Sequence, residues 1–416
     1  MHLYTVNKQL LYLFTCNLTV LFVGMGLFPV LPLYATTLGA TPGLVGIYLA
    51  LTYASITFGA MLAGWLIVRL PQRLVLSSAG GLGIPALVLM GHVSALWQLV
   101  VLTGIVWFTG GIALSVVSVL TGLVADRSHR GRSFSLMSMG TPLGALLGGM
   151  LVGQLIAWQG YPLMFAALGA SWLLIPLAAS QLVEQVPTDQ KSARIDRPNE
   201  RQGLSRPFYL FIPVFLLSTM AVSVGRLGTS LSMQALAFSP SAVASTATIS
   251  GLVAIPVILV IGRLSDRMDR RHLLVFTYTL TAIGVLMLGG AMQLWHFWLA
   301  ATLLLIARCV NGAVGSAYVT DILAPHELAR GLSRLNTTGW LAGVLTFAGA
   351  GHMVDKLGPS AVYLVAGLCA IVAAVQLEWL GGDYRPRQIV QNLANDVKRI
   401  TQTRLSVVRV EDRGAK

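Results

Sequence analysis

The sequence predicts an all-α polytopic membrane protein, with twelve transmembrane helices in two pseudo-symmetric six-helix bundles. Three observations carry this prediction. Hydrophobic residues make up 55% of the 416 residues and charged residues only 10%, with a mean hydropathy of +0.75; a soluble domain carries about 25% charged residues. Apolar runs of about 18–25 residues recur along the chain, the length that crosses a hydrocarbon core of about 30 Å. One offset of 198 positions pairs Gly64-Trp65-Leu66-Ile67-Val68-Arg69-Leu70-Pro71-Gln72-Arg73 with Gly262-Arg263-Leu264-Ser265-Asp266-Arg267-Met268-Asp269-Arg270-Arg271. The same offset pairs Pro42 with Pro240, Gly153 with Gly351 and Gly160 with Gly358. An offset shared across two halves means duplication, a mark of membrane proteins built from repeats.

The helices are expected at 11–35, 43–68, 74–91, 96–120, 132–156 and 161–180 in the first half. In the second half they are expected at 207–234, 241–263, 272–291, 295–318, 331–354 and 360–380. Residues 1–180 form the N-terminal bundle, 181–206 a polar linker, 207–382 the C-terminal bundle and 383–416 a basic tail. The first apolar run is too long for a cleaved signal peptide and reads as an uncleaved span. Two-residue alternation is weak, which argues against a barrel. Cys16, Cys309 and Cys369 fall inside helices without metal-ligand spacing and read as packing residues.

The net charge of +13 follows the helix map. Lys8, Arg69, Arg73, Arg127, Arg130, Arg132, the 191–206 loop, Arg263, Arg267, Arg270, Arg271, Arg330, Arg334 and the tail lie on one side; Lys356 lies in a loop on the other. Positive loops stay cytoplasmic, so both termini are expected in the cytoplasm, with the chain in the inner or plasma membrane. The charge therefore marks topology rather than nucleic-acid binding. In the tail, Ile389, Leu393, Val397 and Ile400 recur at helical spacing beside Arg387, Lys398 and Arg399. That pattern fits either a basic amphipathic helix on the inner leaflet or a disordered tail.

Three motifs carry a family resemblance. The 262–271 segment resembles the loop signature of the major facilitator superfamily, placed after the second helix of a six-helix half. Leu304, Arg308, Asn311 and Gly312 resemble its arginine motif in the fourth helix of a half. Gly140-Thr141-Pro142-Leu143-Gly144, with Gly148 and Gly149, is similar to the glycine–proline motif in the fifth helix of its exporters. The resemblance implies two bundles rocking around a central cavity. It also implies gating residues at Gly262, Asp266, Arg267, Arg270 and Arg271, and close helix packing at Gly140, Pro142, Gly144, Gly148 and Gly149. Gly262 is expected to let its helix approach a neighbour. Asp266 is expected to accept from the N-terminus of the fifth helix near Gly131–Ser133, latching the cytoplasmic side shut. The bland alternative for this loop is a positive-inside anchor. The first half departs from the pattern, because Val68 replaces the aspartate and Pro71 stiffens the loop, leaving the matching latch in doubt. Glycines at 140, 144, 148, 149 and 153, and at 339, 343, 349 and 351, read as packing faces between the bundles. Pro142 is expected to kink its helix.

Charges inside the membrane are the best pointers to a site. Arg226 in the seventh helix and Arg308 in the tenth are each placed about 18 Å from the outer end, at 1.5 Å per residue. They face either a water-filled cavity that favours an anionic or zwitterionic ligand, or polar neighbours such as Asn311 and Gln234. Asn17, Tyr34, Trp107, Gln234, Asn311 and Trp340 complete the candidate substrate-binding set, with Tyr53 and Phe108 as further aromatic candidates. Trp97, Trp158, Trp295 and Trp298 lie near helix ends and read as interfacial residues. The first-half helices contain no Asp or Glu. Proton coupling would have to run through Asp126, Asp321 or Glu378, or through the ligand's own charge.

These readings favour a secondary transporter moving a small organic solute by alternating access, as an efflux carrier. The alternative is an organic-anion carrier using Arg226 and Arg308. No cofactor or nucleic acid is expected, and the protein is expected to act as a monomer in the bilayer. An enzyme would need a buried acid–base or metal cluster; His92, His296 and His352 are too scattered. No phosphate-binding loop is present for ATP-driven transport. If Asp266 forms the latch, Asp266→Asn should raise the inward-open population. Cysteine probes facing the cytoplasm would then label faster, and unchanged labelling would rule the latch out.

Overall fold

The computed structural model describes residues 2–124, 136–183, 204–265, 268–323 and 327–380. Asp126, Gly131–Ser133, Asp266, Arg267, most of the linker and the tail lie outside the described residues, so the latch and the amphipathic tail are not among its findings.

The described chain is helical, without strands. Its helices are His2–Leu27, Leu31–Thr37, Pro42–Arg69, Gln72–Met90, Leu96–Val124, Gly140–Trp172, Leu174–Ser180, Arg206–Ala235, Pro240–Ser265, Arg270–Leu288, Leu294–Ile322, Leu328–Leu357 and Pro359–Leu380. Ten described stretches are long and apolar enough to cross a membrane. One of these, Leu136–Ser180, is 45 residues long. It breaks at Gln159 and Gly160, where φ reaches +75° at the glycine, and so makes two spans. Leu328–Leu357 is less apolar than these ten, yet packs lengthwise along the second span. Counted this way there are twelve spans among the described residues, as the sequence predicts.

The first span is not one straight helix. It stops at Leu27 and restarts at Leu31. Pro29 and Pro32 have no N–H to offer the preceding turn, so the ladder breaks between them. The break leaves Phe28 at mid-height between the bundles. The fifth span is likewise interrupted at Met139, three residues before Pro142, where that proline cannot donate to the preceding turn.

The repeat is visible in the local chemistry. Thr41 caps the second span, its side chain accepting from the Leu44 N–H, and Pro42 follows at the first turn. At the equivalent place Ser239 accepts from the Ala242 N–H ahead of Pro240. Gly160 and Gly358 turn the chain at matching positions with φ of +75° and +79°. Only glycine adopts that backbone without a steric cost.

The glycine faces are divided in a way that the sequence did not separate. A Cβ at Gly140 would meet Leu21 at 2.9 Å, at Gly144 the Leu21 carbonyl carbon at 2.7 Å, and at Gly148 the Gly26 Cα at 3.0 Å. That stripe packs on the first span, within one bundle. Gly149 instead faces the eighth span, where a Cβ would lie 2.7 Å from the Thr248 nitrogen. The five residues expected to join the bundles therefore do two jobs, because positions 148 and 149 point about 100° apart around a helix. Gly343 lies against the Tyr53 ring and Gly351 against Gly46, whereas Gly349 meets nothing. At Gly262 no described atom lies within 4 Å of the Cβ position, and the start of the fifth span lies outside the described residues. It does not seat its helix on a described neighbour.

Among the described residues, two side-chain hydrogen bonds join the halves at the end away from the termini, here called the far side. The Gly43 N–H donates to Asp355 Oδ2 at 2.9 Å, joining the second span to the eleventh. Gln234 Nε2 donates to Thr36 Oγ1 at 2.5 Å, joining the seventh span to the first. On the terminus side the ion pairs stay within the second half: Arg270 with Asp321 at 2.6 Å and Arg271 with Glu378 at 2.9 Å. No described atom lies within 4 Å of the Cβ positions of Gly64 and Gly262, the matching glycines of the two loops, there. The conformation is thus closed on the far side.

Asp355 places a carboxylate on the exposed N–H groups at a helix start, where negative charge is favoured by about 0.3–1 kcal/mol. Asp355 is itself exposed, so screening keeps the contact within that range. Asp355→Ala should therefore raise the far-side-open population by up to about fivefold, since 1.4 kcal/mol is about tenfold. Leu114 lines the space between the halves, and a cavity cysteine there, Leu114→Cys in a background without Cys16, Cys309 and Cys369, should label faster with an impermeant reagent applied from that side. Equal labelling would show that the contact carries no weight in closure.

Candidate functional site

The cavity lies at mid-height between the halves. It encloses about 560 Å³ of unfilled space, its mouth included. Its wall comes from the first, second, fourth, sixth, seventh, tenth and eleventh spans, so both bundles contribute. Apolar and aromatic residues dominate it, with Phe28, Tyr53, Trp107, Trp172 and Trp340 on the wall. Arg226 and Arg308 also line it.

Arg226 is the centre of the arrangement. Its Nη1 donates to the Tyr53 hydroxyl at 2.9 Å, across the boundary between the halves. Its guanidinium carbon lies 3.6 Å from the centroid of the Phe28 ring. Arg308 lines the same cavity beside Tyr53, near enough for its charge to bear on the Tyr53 hydroxyl. Tyr53 is in turn held by Phe347, with ring centroids 4.8 Å apart, and by Trp340 at 6.0 Å. Gly343 makes room for the Tyr53 ring. Two guanidiniums from one half therefore converge on a phenol from the other.

The balance of energies shows what this site lacks. Stacking on an aromatic face contributes about 0.5–2 kcal/mol, and a hydrogen bond from a charged donor about 1.5–3 kcal/mol. Removing a cation from water costs several kcal/mol after relaxation. Among the described residues lining the cavity there is no carboxylate. Arg226 has five N–H donors, and a neutral phenol and a benzene ring do not balance its charge.

The other candidates lie elsewhere. Trp107 and Trp340 are on the cavity wall. Asn17 is not: its Nδ2 donates to the Met137 carbonyl at 2.8 Å and ties the first span to the start of the fifth. Tyr34 donates to the Met90 carbonyl at 2.9 Å and stacks on Tyr161 with centroids 4.3 Å apart, a packing role inside the first bundle. Gln234 belongs to the far-side closure. Asn311 sits in the second bundle, accepting from Tyr278 at 3.2 Å and donating to Thr219 at 3.3 Å. Each is a buried or half-buried polar group that needed a partner in an apolar surround, and each found one away from the cavity.

Arg270 and Arg271, expected as gating residues, make their described bonds within the second half. Arg270 bonds the Ala317 carbonyl as well as Asp321, and Arg271 bonds the Leu377 and Glu378 carbonyls. They fasten the ninth span to the tenth and twelfth. Asp321 and Glu378, considered for proton coupling, are the partners of these two arginines. The arginine depths differ as well. Arg226 is nine residues from the far end of its helix, about 14 Å, and Arg308 fourteen residues, about 21 Å. Both still reach Tyr53, because their long side chains span the difference.

Phe28 and Trp172 were missed by sequence reasoning. The Phe28-Pro29 pair carried a signal, since a proline in mid-span marks a break. Trp172 carried none, being one aromatic among many in an apolar run. Asp355, at the helix end beside Lys356, could have been found as the acid nearest a far-side loop.

The chain matches a family model described as "Major Facilitator Superfamily" over residues 13–233 and 208–410. It is 24% identical over 381 residues to the multidrug resistance protein MdtG of Serratia proteamaculans, covering 84% of this chain and 88% of that one. It is 25% identical to the protein of the same name from Proteus mirabilis, over 76% of this chain and 81% of that one. Among solved structures, a POT family transporter in complex with a thioalcohol-conjugated peptide matches at TM-score 0.73, with 14% identity over 91% of this chain and 99% of that one. The nucleoside transporter NupG matches at TM-score 0.69, with 14% identity over 91% of this chain and all of that one. The structural likeness concerns the fold. With the repeat, the twelve spans and the cavity between the halves, the family match establishes that this chain is a membrane transporter belonging to the major facilitator superfamily.

Proposed function

We propose that this protein exports small amphipathic organic solutes and that it favours those carrying a negative charge. The observation that carries the reading is the convergence of Arg226 and Arg308 on Tyr53 inside an aromatic cavity whose described wall has no carboxylate. An anionic group would supply the counter-charge, and the rings of Phe28, Trp107 and Trp340 would cover an apolar body. Export is supported by the name that the relatives carry, multidrug resistance protein. The positive residues on the terminus side favour a cytoplasmic placement of that side. The far-side-closed conformation would then face the cytoplasm, ready to receive solute from within.

In this reading Arg226 also senses the ligand. A bound anion would draw guanidinium donors away from Tyr53, the residue that connects it to the other half. Loss of that link would ease the halves toward the opposite conformation, which is the differential contact that alternating access requires. Proton coupling, if used, would fall to acids at the rims: Asp321, Glu378 and Asp355.

A neutral-solute carrier is the second reading, favoured by the mainly apolar wall. Arg226→Gln with Arg308→Gln separates the two. Each charged contact to an anion should contribute about 1.5–3 kcal/mol, or about 10–100-fold in affinity. In proteoliposomes the double variant should lose transport of a fluorescent organic anion and keep transport of a neutral dye. An equal fall for both would assign the arginines a structural role. Tyr53→Phe should leave anion affinity within about threefold. It should change the ratio of far-side to terminus-side labelling of the cavity cysteine; an unchanged ratio would detach Arg226 from the conformational step.

A further inference from the structure

A second cavity adjoins the first. It holds about 460 Å³ of unfilled space, mouth included, and shares Met25, Phe28 and Arg226 with the first. Its character differs: Thr229, Ser230, Thr246 and Ser250 all lie on its wall. Ser230 follows Arg226 by four residues, and Ser250 follows Thr246 by four, so each pair shares a helix face. Two polar faces, from the seventh and eighth spans, thus look into one space beside the guanidinium.

The hydroxyls are not equivalent. Thr229 donates to the Gly225 carbonyl at 2.8 Å, Thr246 to the Val243 carbonyl at 2.7 Å and Ser250 to the Ala247 carbonyl at 3.1 Å. Ser230 is 1% exposed, and its Oγ has no hydrogen-bond partner. An unpartnered buried hydroxyl next to a cation with donors to spare calls for an acceptor that carries charge. Met25, Phe28, Pro29, Leu304 and Leu305 enclose the same space and would keep water from competing.

We propose that this second cavity is an oxyanion subsite, holding the carboxylate or sulfonate of an aromatic organic acid whose ring occupies the first cavity. Arg226, at the junction, supplies the charge; Ser230 donates its free O–H; Ser250 and Thr246 turn to add donors. This deepens the anion reading above and rests on it. The site selects a planar or tetrahedral oxygen-bearing head joined directly to a flat apolar body. A cation or a bare hydrocarbon finds no match in it.

The test is calorimetric titration of the purified full chain with naphthalene-2-carboxylate, naphthalene-2-sulfonate and the neutral naphthalene-2-carboxamide. The wild type should favour both anions over the amide by about tenfold. Ser230→Ala should shrink that preference to about threefold, and Ser250→Leu, which fills the subsite, should abolish it. Amide affinity should hold in Ser230→Ala, and naphthalene itself, which has no head to place, should bind Ser250→Leu as it binds the wild type, showing that the fold and the first cavity remain. If the wild type prefers the anions and both variants keep that preference, the subsite is overturned while the arginine reading stands. If Ser230→Ala loses amide and anion binding equally, the subsite is again overturned, since it does not discriminate. If the wild type itself shows no anion preference, the anion reading falls and the subsite with it.

Discussion

The Arg226–Tyr53 contact is the interaction on which the rest of this structure turns. It is a hydrogen bond of 2.9 Å between the two halves, made by a side chain that also rests on Phe28. Its neighbours can be read as what such a contact requires. The break at Pro29 sets Phe28 beneath the guanidinium, Gly343 lets the Tyr53 ring enter, and Phe347 and Trp340 hold that ring in place. A cation in an apolar wall is costly to keep. Holding it with a phenol and a ring rather than a carboxylate leaves its charge available, and a charge left available at the boundary between moving halves is suited to a ligand.

The scaffold is two-fold and its chemistry is not. Thr41 and Ser239, and Gly160 and Gly358, serve the same local purpose in both halves. Arg226 and Arg308 belong to the second half only, and so do the pairs Arg270–Asp321 and Arg271–Glu378. The far-side contact from Asp355 to the start of the second span is also one-sided. The duplicated frame provides two packing bodies, and the described charges of the cavity and of these ion pairs lie in one of them. The other half contributes mainly the aromatic wall and the acceptor Tyr53. Rocking between two bodies needs surfaces that separate cleanly. Glycine contacts such as Gly46 on Gly351 and Gly149 on Thr248 provide close approach without interlocked side chains.

Much of this was legible in the sequence, for a physical reason. A membrane span must satisfy its backbone internally and present apolar side chains to lipid, so span number, span limits and the duplicated frame are written in local composition. Charge placement is similarly local, and the arginine-bearing residues stood out because cations are rare inside a span. The sequence by itself determined the twelve helices, the two halves and the two arginines worth following. Partner choice was decided by the tertiary structure. Asn17, Tyr34 and Asn311 looked as suited to a cavity as Trp107 and Trp340, since each is a polar or aromatic group within a span. Only packing determined that Asn17 meets the Met137 carbonyl and Tyr34 the Met90 carbonyl while the two tryptophans face the cavity. A helix sequence states which residues share a face, but the face that meets a neighbour, and the one left looking into the space between the halves, depend on contacts between residues on different helices, tens of positions or more apart.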